Sequence, residues 1–216
     1  VVWVPYGMST NFTIVPDTNY HIVDVSVDAG SIGPTNSFTF VGVTNARTID
    51  ATFALNEFTL AVTSDHGTPV PGGTTTNTWN TLLYPTVDAS QQIGLTQYVC
   101  IGWTGSGSVP ASGSSNSFGF NIVTNSTLNW RWTTNYWVDL TPVGQGQLNQ
   151  ITDWQSCASN LSITATPSNG WHFAGWTGDV VSTNNPLVLT MNQAYILTAT
   201  FALNEFTLAV TSDHGT

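Results

Sequence analysis

The chain has 216 residues, of which 41% are hydrophobic and 12% aromatic, enough to bury a core and too apolar for a disordered segment. Only 6% are charged, against about 25% in an average soluble protein, so Ser, Thr, Asn and Gln must carry the solubility. Arg47 and Arg131 are the sole Lys or Arg residues beside a formal charge of −10, which excludes a phosphate-binding surface, a nucleic-acid partner and adhesion to an anionic membrane.

No apolar run approaches the about 18 residues of a membrane span, and Val1 to Thr10 lacks the basic start of a signal peptide. Without lysine there is no Lys-to-Asn isopeptide cross-link. Cys100 and Cys157, 57 residues apart, allow one disulfide, worth roughly 4 kcal/mol in chain entropy.

From the N-terminus, residues 1–55 (unit A) show Phe12 and Ile14, then Ile22, Val23, Val25 and Val27, then Phe38 and Phe40, then Ile49, Ala51 and Phe53. This is largely the two-residue alternation of half-buried strands. Pro16-Asp-Thr-Asn19 and Ala29-Gly-Ser-Ile-Gly-Pro34 break the chain between them, as turns do. No stretch supports a long amphipathic helix.

The sixteen residues from Phe53 to Thr68 then return letter for letter from Phe201 to Thr216, 148 residues later. A fixed internal period marks a repeat architecture. The segment joins the end of one unit, Ala51-Thr-Phe-Ala54, to the opening strand of the next, Phe58-Thr-Leu-Ala-Val62, with a boundary at Asn56-Glu57-Phe58 that recurs as Asn135-Tyr136-Trp137 and Asn204-Glu205-Phe206.

Residues 56–134 (unit B) pass through a Thr-, Gly- and Pro-rich loop to Tyr98-Val-Cys-Ile-Gly-Trp-Thr-Gly105 and close on Leu128-Asn-Trp-Arg-Trp132. Residues 135–203 (unit C) open with Trp137-Val-Asp-Leu-Thr141. They continue through Leu161 to Pro167 and His172-Phe-Ala-Gly-Trp-Thr-Gly178, and close on Ile196 to Phe201. Ile101-Gly-Trp-Thr-Gly105 lies over Ala174-Gly-Trp-Thr-Gly178, and Tyr20-His21-Ile22 over Trp171-His172-Phe173. Residues 204–216 restart a unit B and supply its first strand, whereas unit A shows no first strand of its own. The expected fold is all-β: tandem small antiparallel modules, sandwich-like or β-grasp-like, in an elongated array.

The aromatic-x-x-Gly-Trp-Thr-Gly and Ala-Thr-Phe-Ala signatures, with Asn185-Pro186-Leu187 and Ile196 to Ala202 in unit C, resemble the divergent internalin-B type B-repeat of long bacterial surface proteins. Unit A departs by placing Asp24-Val25 where the others have Gly-Trp. The resemblance implies an extracellular, non-catalytic stalk or adhesin module, at the cell surface or in a secreted fibre. Modules of about 55 to 80 residues have marginal cores on their own, so neighbouring units are expected to bury surface against each other.

Residues that suggest chemistry read more simply as structure. Ser64-Asp65-His66 holds the residue types of a hydrolytic triad, but neighbours on an extended chain point in opposite directions, and the set recurs as Ser212-Asp213-His214. His21 and His172 have no second ligand at metal spacing. Asp24 to Gly30 has no glycine at the sixth position of a calcium loop, and Gly105-Ser-Gly107 and Gly144-Gln-Gly146 read as turns. Asn11, Asn125 and Asn160 begin glycosylation sequons of the kind chance supplies in an Asn- and Thr-rich chain. No cofactor is indicated.

Of nine tryptophans, Trp103, Trp130, Trp132 and Trp176 fall on core positions, whereas Trp3, Trp79 and Trp154, with Tyr84, lie outside the repeat signature and suit an interface or a glycan. The function read from this pattern is a structural segment of a fibre or stalk, whose partner is itself in a head-to-tail fibre or a longer tandem chain. Phe206, Leu208 and Val210 form a surplus interface strand that would complete the sheet of another unit A. A carbohydrate-binding adhesin, or accessory modules of a larger secreted enzyme, is the alternative.

Overall fold

The structure, a computed structural model, describes residues 1–215, and all their regular structure is β-strand or isolated bridge. Unit A comprises β1 (Thr10–Thr13), β2 (Tyr20–Val27), β3 (Gly30–Gly33), β4 (Ser37–Phe40) and β5 (Ile49–Leu55). Unit B follows with β6 (Glu57–Ser64), β7 (Gly73–Thr78), β8 (Thr81–Leu83), β9 (Ser90–Ile93), β10 (Thr96–Ser106), β11 (Ser112–Gly113) and β12 (Phe120–Ile122). The 18-residue β13 (Ser126–Val143) crosses from B into C, which adds β14 (Gly146–Leu148), β15 (Asp153–Ser156), β16 (Asn160–Ile163), β17 (Ala165–Pro167), β18 (Trp171–Gly178), β19 (Leu187–Thr190) and β20 (Tyr195–Leu203).

One strand plan recurs. In A, β1 pairs with β4 and β2 with β5; in B, β8 pairs with β12 and β10 with β13; in C, β16 pairs with β19 and β18 with β20. All six pairings are antiparallel. The long antiparallel pair of each unit carries one irregularity at the same point, between Ile22 and Asp24, Cys100 and Gly102, and Phe173 and Gly175. An extra residue in one strand shifts which side chains face inward. The residue two beyond the extra one is thereby turned into the core: Trp103 in B, Trp176 in C and Val25 in A, all buried. Asp24-Val25 is therefore a smaller version of the Gly-Trp pair rather than a break in the plan.

Cores of B and C form separately. In B, Leu60 and Val62 of β6 meet Leu128 and Trp130 of β13, with Trp103 and Ile122. In C, Val138 and Leu140 of β13 meet Leu197 and Ala199 of β20, with Trp176 and Ile163. Unit A has only Val25 and Phe40 fully buried among its apolar side chains. Burial of one Leu or Val side chain contributes about 1.5–3 kcal/mol, so unit A draws little stability from its own core.

The glycine after the irregularity in B is obligatory for two reasons. Gly102 has φ +111°, and a Cβ there would collide with the Gly113 backbone on β11. Gly102→Ala is expected to lower stability by about 2–4 kcal/mol. Gly94→Ala, in open space at φ +60°, should cost about 1 kcal/mol, a difference that urea midpoints of the two variants will read.

Candidate functional site: paired and unpaired strand edges

Antiparallel pairing does not account for the opening strands. β6 runs parallel to the first part of β13, with Leu60 opposite Ser126, Val62 opposite Leu128 and Ser64 opposite Trp130. The later part of β13 runs parallel to β20, with Val138 opposite Tyr195, Leu140 opposite Leu197 and Pro142 opposite Ala199. Aligning the closing boundaries, Asn135 on Asn204, puts Leu128 over Leu197; their parallel partners are Val62 and Leu140, and Leu60 and Val138 lie two residues earlier, so both units use one register, one residue away from an alignment of Asn56 on Asn135. In each, the opening strand lies beside the closing strand and inserts two apolar side chains into the core: Leu60 and Val62 in B, Val138 and Leu140 in C.

β5 is the corresponding closing strand of A. Ala51 to Phe58 repeats as Ala199 to Phe206, yet β5 is paired on one side only, by β2, and no described residue pairs its other side. The same residue then meets two environments. Phe201 is 3% exposed and Phe53 42%; Ala199 is buried and Ala51 half-buried.

Residues 204–215 show the complementary contrast. Phe206, Leu208 and Val210 are at least 84% exposed and form no strand, whereas their identical counterparts Leu60 and Val62 are buried in β6. The last main-chain anchor is the Asn204 amide, donating to the Gly170 carbonyl at 2.9 Å. The Thr216 end of the surplus segment lies outside the described residues.

Ser64, Asp65 and His66 cap the end of β6. Ser64 Oγ accepts from Trp132 Nε1 at 3.0 Å and donates to the His66 carbonyl at 2.6 Å, while the His66 ring stacks on Tyr98 at 3.5 Å and meets Trp132 edge-on. The hydroxyl is thus occupied by a carbonyl and an indole. His21 and His172 are both exposed, and His172 Nδ1 lies 3.0 Å from Asn204 Oδ1. Asp24 accepts from Ser31 Oγ and the Gly33 amide, while Asp28 pairs with Arg47 at 2.5 Å and accepts from the Thr48 amide. Both carboxylates serve turns.

Trp3 stands in the N-terminal segment at 92% exposure. Trp79 sits between β7 and β8, its amide donating to the Asn56 carbonyl. Trp154 faces Trp137 across β15 and β13, edge to face at 5.1 Å. None of the three stacks on another. The sequence alone did not indicate Trp137 as the partner of Trp154, because that requires the β13–β15 pairing.

The Cys100–Cys157 disulfide permitted by the sequence is not formed: both are free thiols. Asn135 is flanked by Gln97 of β10 and Ser156 of β15, which places those strands on opposite sides of β13. Two strand spacings amount to about 10 Å, beyond the reach of a disulfide. The half-buried Tyr136 hydroxyl is held above the usual phenol range, first by desolvation and then by the neighbouring Cys157 thiol. Stability gained from neutral Tyr136 is complete below the unfolded phenol value of about 10, and is lost as pH rises through the higher folded one.

Residues 136–205 match the family model of the divergent InlB B-repeat domain. That segment is similar to a divergent InlB B-repeat. No curated protein matches the chain. The matched residues take in the opening part of C, its two core pairs and β20, so the matched segment includes both members of a parallel strand pair. The family is associated with bacterial cell-surface proteins and is a non-catalytic repeat.

Two thiols per chain are expected to titrate with a maleimide without prior reduction, the exposed Cys157 well before the half-buried Cys100. Ser64→Ala is expected to cost about 1–2 kcal/mol by leaving the Trp132 N–H without its acceptor, measured by thermal unfolding of the chain.

Proposed function

We propose that this chain is a non-catalytic structural protein of the bacterial surface, part of an extracellular fibre or stalk built by head-to-tail stacking of B-repeat modules, with residues 205–216 adding a strand to a neighbouring module. The observation that carries this reading is the way strands pass from module to module. β13 closes B and opens C without a break, and only Asn56 separates β5 from β6.

Tension entering such a module arrives along its opening strand and leaves along its closing strand. Those two strands are adjacent and parallel, so pulling slides one along the other and loads their hydrogen bonds together in shear. No flexible linker intervenes at the B–C joint to absorb the load. A surface of Thr, Ser and Asn with few charges, net −10, suits a spacer that does not attract polyanions.

Force spectroscopy on the chain held at Val1 and Leu203 tests this. B and C should unfold as two separate high-force events. Thr63→Pro, which removes an N–H from β6 where it lies opposite Asn129 of β13, should lower the event of B and leave that of C in place. Two low-force events, unaffected by the substitution, would remove the load-bearing reading.

A further inference from the structure

We infer that β7 is a lateral docking edge for a second copy of this chain, the two β7 strands pairing antiparallel about a two-fold axis at Thr75. The contact lies at the side of a module and goes beyond the head-to-tail reading above.

The nine-stranded sheet has five outer strands among the described residues: β7, β9, β11, β15 and β18. Four of them are poorly suited to a further partner. β9 and β11 have four and two residues, β15 carries Asp153, and β18 is interrupted at Ala174 and closed at Trp176 by the bridge to Ser182. β7 has six residues, Gly73-Thr-Thr-Thr-Asn-Thr78, paired to β6 without a register shift. Outer strands are ordinarily blunted by Lys, Pro, a bulge or an inward-pointing charge, and β7 has none of these.

The pairing with β6 shows which main-chain groups are open. Thr59 sends its amide away from β7, to Asn125 Oδ1 at 2.9 Å. Thr76, opposite Thr59, is therefore in a pair without mutual main-chain bonds, and by alternation so is Thr74. Both turn their N–H and C=O outward. Gly73, Thr74, Thr76 and Thr78 are exposed, and a Cβ at Gly73 would meet nothing within 4 Å.

The occupant is a second copy because the edge is its own complement. An axis through Thr75 sets Thr74 opposite Thr76 of the other copy, so the outward N–H and C=O of both threonines find partners, and Thr–Thr neighbours across strands are favourable. None of the six residues is charged, so a chain of net charge −10 meets itself here without setting carboxylates opposite each other. Glu57 of β6 lies at the Thr78 end, and the two-fold places its two copies at opposite ends of the contact. The contact is isologous and closes as a pair, joining two B sheets edge to edge and setting two chains side by side.

The test uses the full chain with Cys100→Ser and Cys157→Ser, carrying Thr75→Cys. The two Thr75 positions face each other with Cα atoms about 4.5 Å apart, within disulfide range. Mild oxidation is expected to give a reducible species at twice 23.1 kDa on a denaturing gel. Leu82→Cys in the same background, exposed on β8 of the same unit, measures chance collision and should stay at monomer mass. In the otherwise unsubstituted chain, Thr76→Pro removes an outward N–H that β6 does not use, a change an edge strand tolerates. Sedimentation equilibrium should show self-association weakened about tenfold or more, as the loss of two hydrogen bonds per pair implies, with the urea midpoint of B kept. Thr76→Lys, which retains the N–H and blunts the edge by charge, should weaken it as well. Thr75→Cys remaining at monomer mass, or cross-linking no faster than Leu82→Cys, would overturn the proposal, and so would self-association undiminished in both Thr76 variants.

Discussion

The parallel pairing of opening and closing strands is the interaction on which both complete modules depend. It supplies two residues of each core, Leu60 and Val62 or Val138 and Leu140, and it makes the closing strand a central strand with partners on both sides. Where no described residue supplies it, at β5, the rest of the plan still forms: β2 pairs with β5, β1 with β4, and the irregularity at Val23 stays in place. The antiparallel pairings therefore form without a described opening strand beside β5, while burial there is lower.

B and C solve the same packing problem with different chemistry. Trp176 of C donates its N–H to the Asn184 carbonyl at 2.9 Å. Trp103 and Trp130 of B bury theirs without a hydrogen-bond partner, at a cost of about 1–3 kcal/mol each. In compensation B assembles an aromatic cluster: Trp103 stacks on Phe118 at 3.9 Å and meets Trp130 edge-on, and Phe118 stacks on Phe120. The shared β13 ties these two solutions together, since its Leu128, Trp130 and Trp132 contribute to the core of B and its Tyr136, Val138 and Leu140 to that of C.

Much of this was legible in the sequence. The identical segments from Phe53 and Phe201 mark the joints, period-two apolar runs mark the strands, and the Gly-Trp-Thr-Gly signature marks the irregular pair that buries Trp103 and Trp176. Other features were not legible for physical reasons. Alternation shows that a strand has a buried face but not the direction of its neighbour, so the parallel pairings had no signal. A cysteine count cannot show that β13 lies between Cys100 and Cys157. That Trp154 lies against Trp137 could not be read either, because the two are adjacent only through the sheet.

The chain also contains its own control experiment on what makes a strand. Phe58 to Ser64 and Phe206 to Ser212 have the same sequence and hence the same intrinsic propensity, yet one is β6 between two neighbours and the other is without regular structure. β-propensity expresses fit to a half-buried pleated surface more than a preference of the backbone itself. For this heptad the deciding term is the partner: β13 satisfies its N–H and C=O groups, and the core of B receives Leu60 and Val62. A segment whose structure is supplied by what it meets, placed next to a module boundary, leaves the joint between modules governed by pairing rather than by a preformed element. That is the property that lets one strand plan be continued from unit to unit.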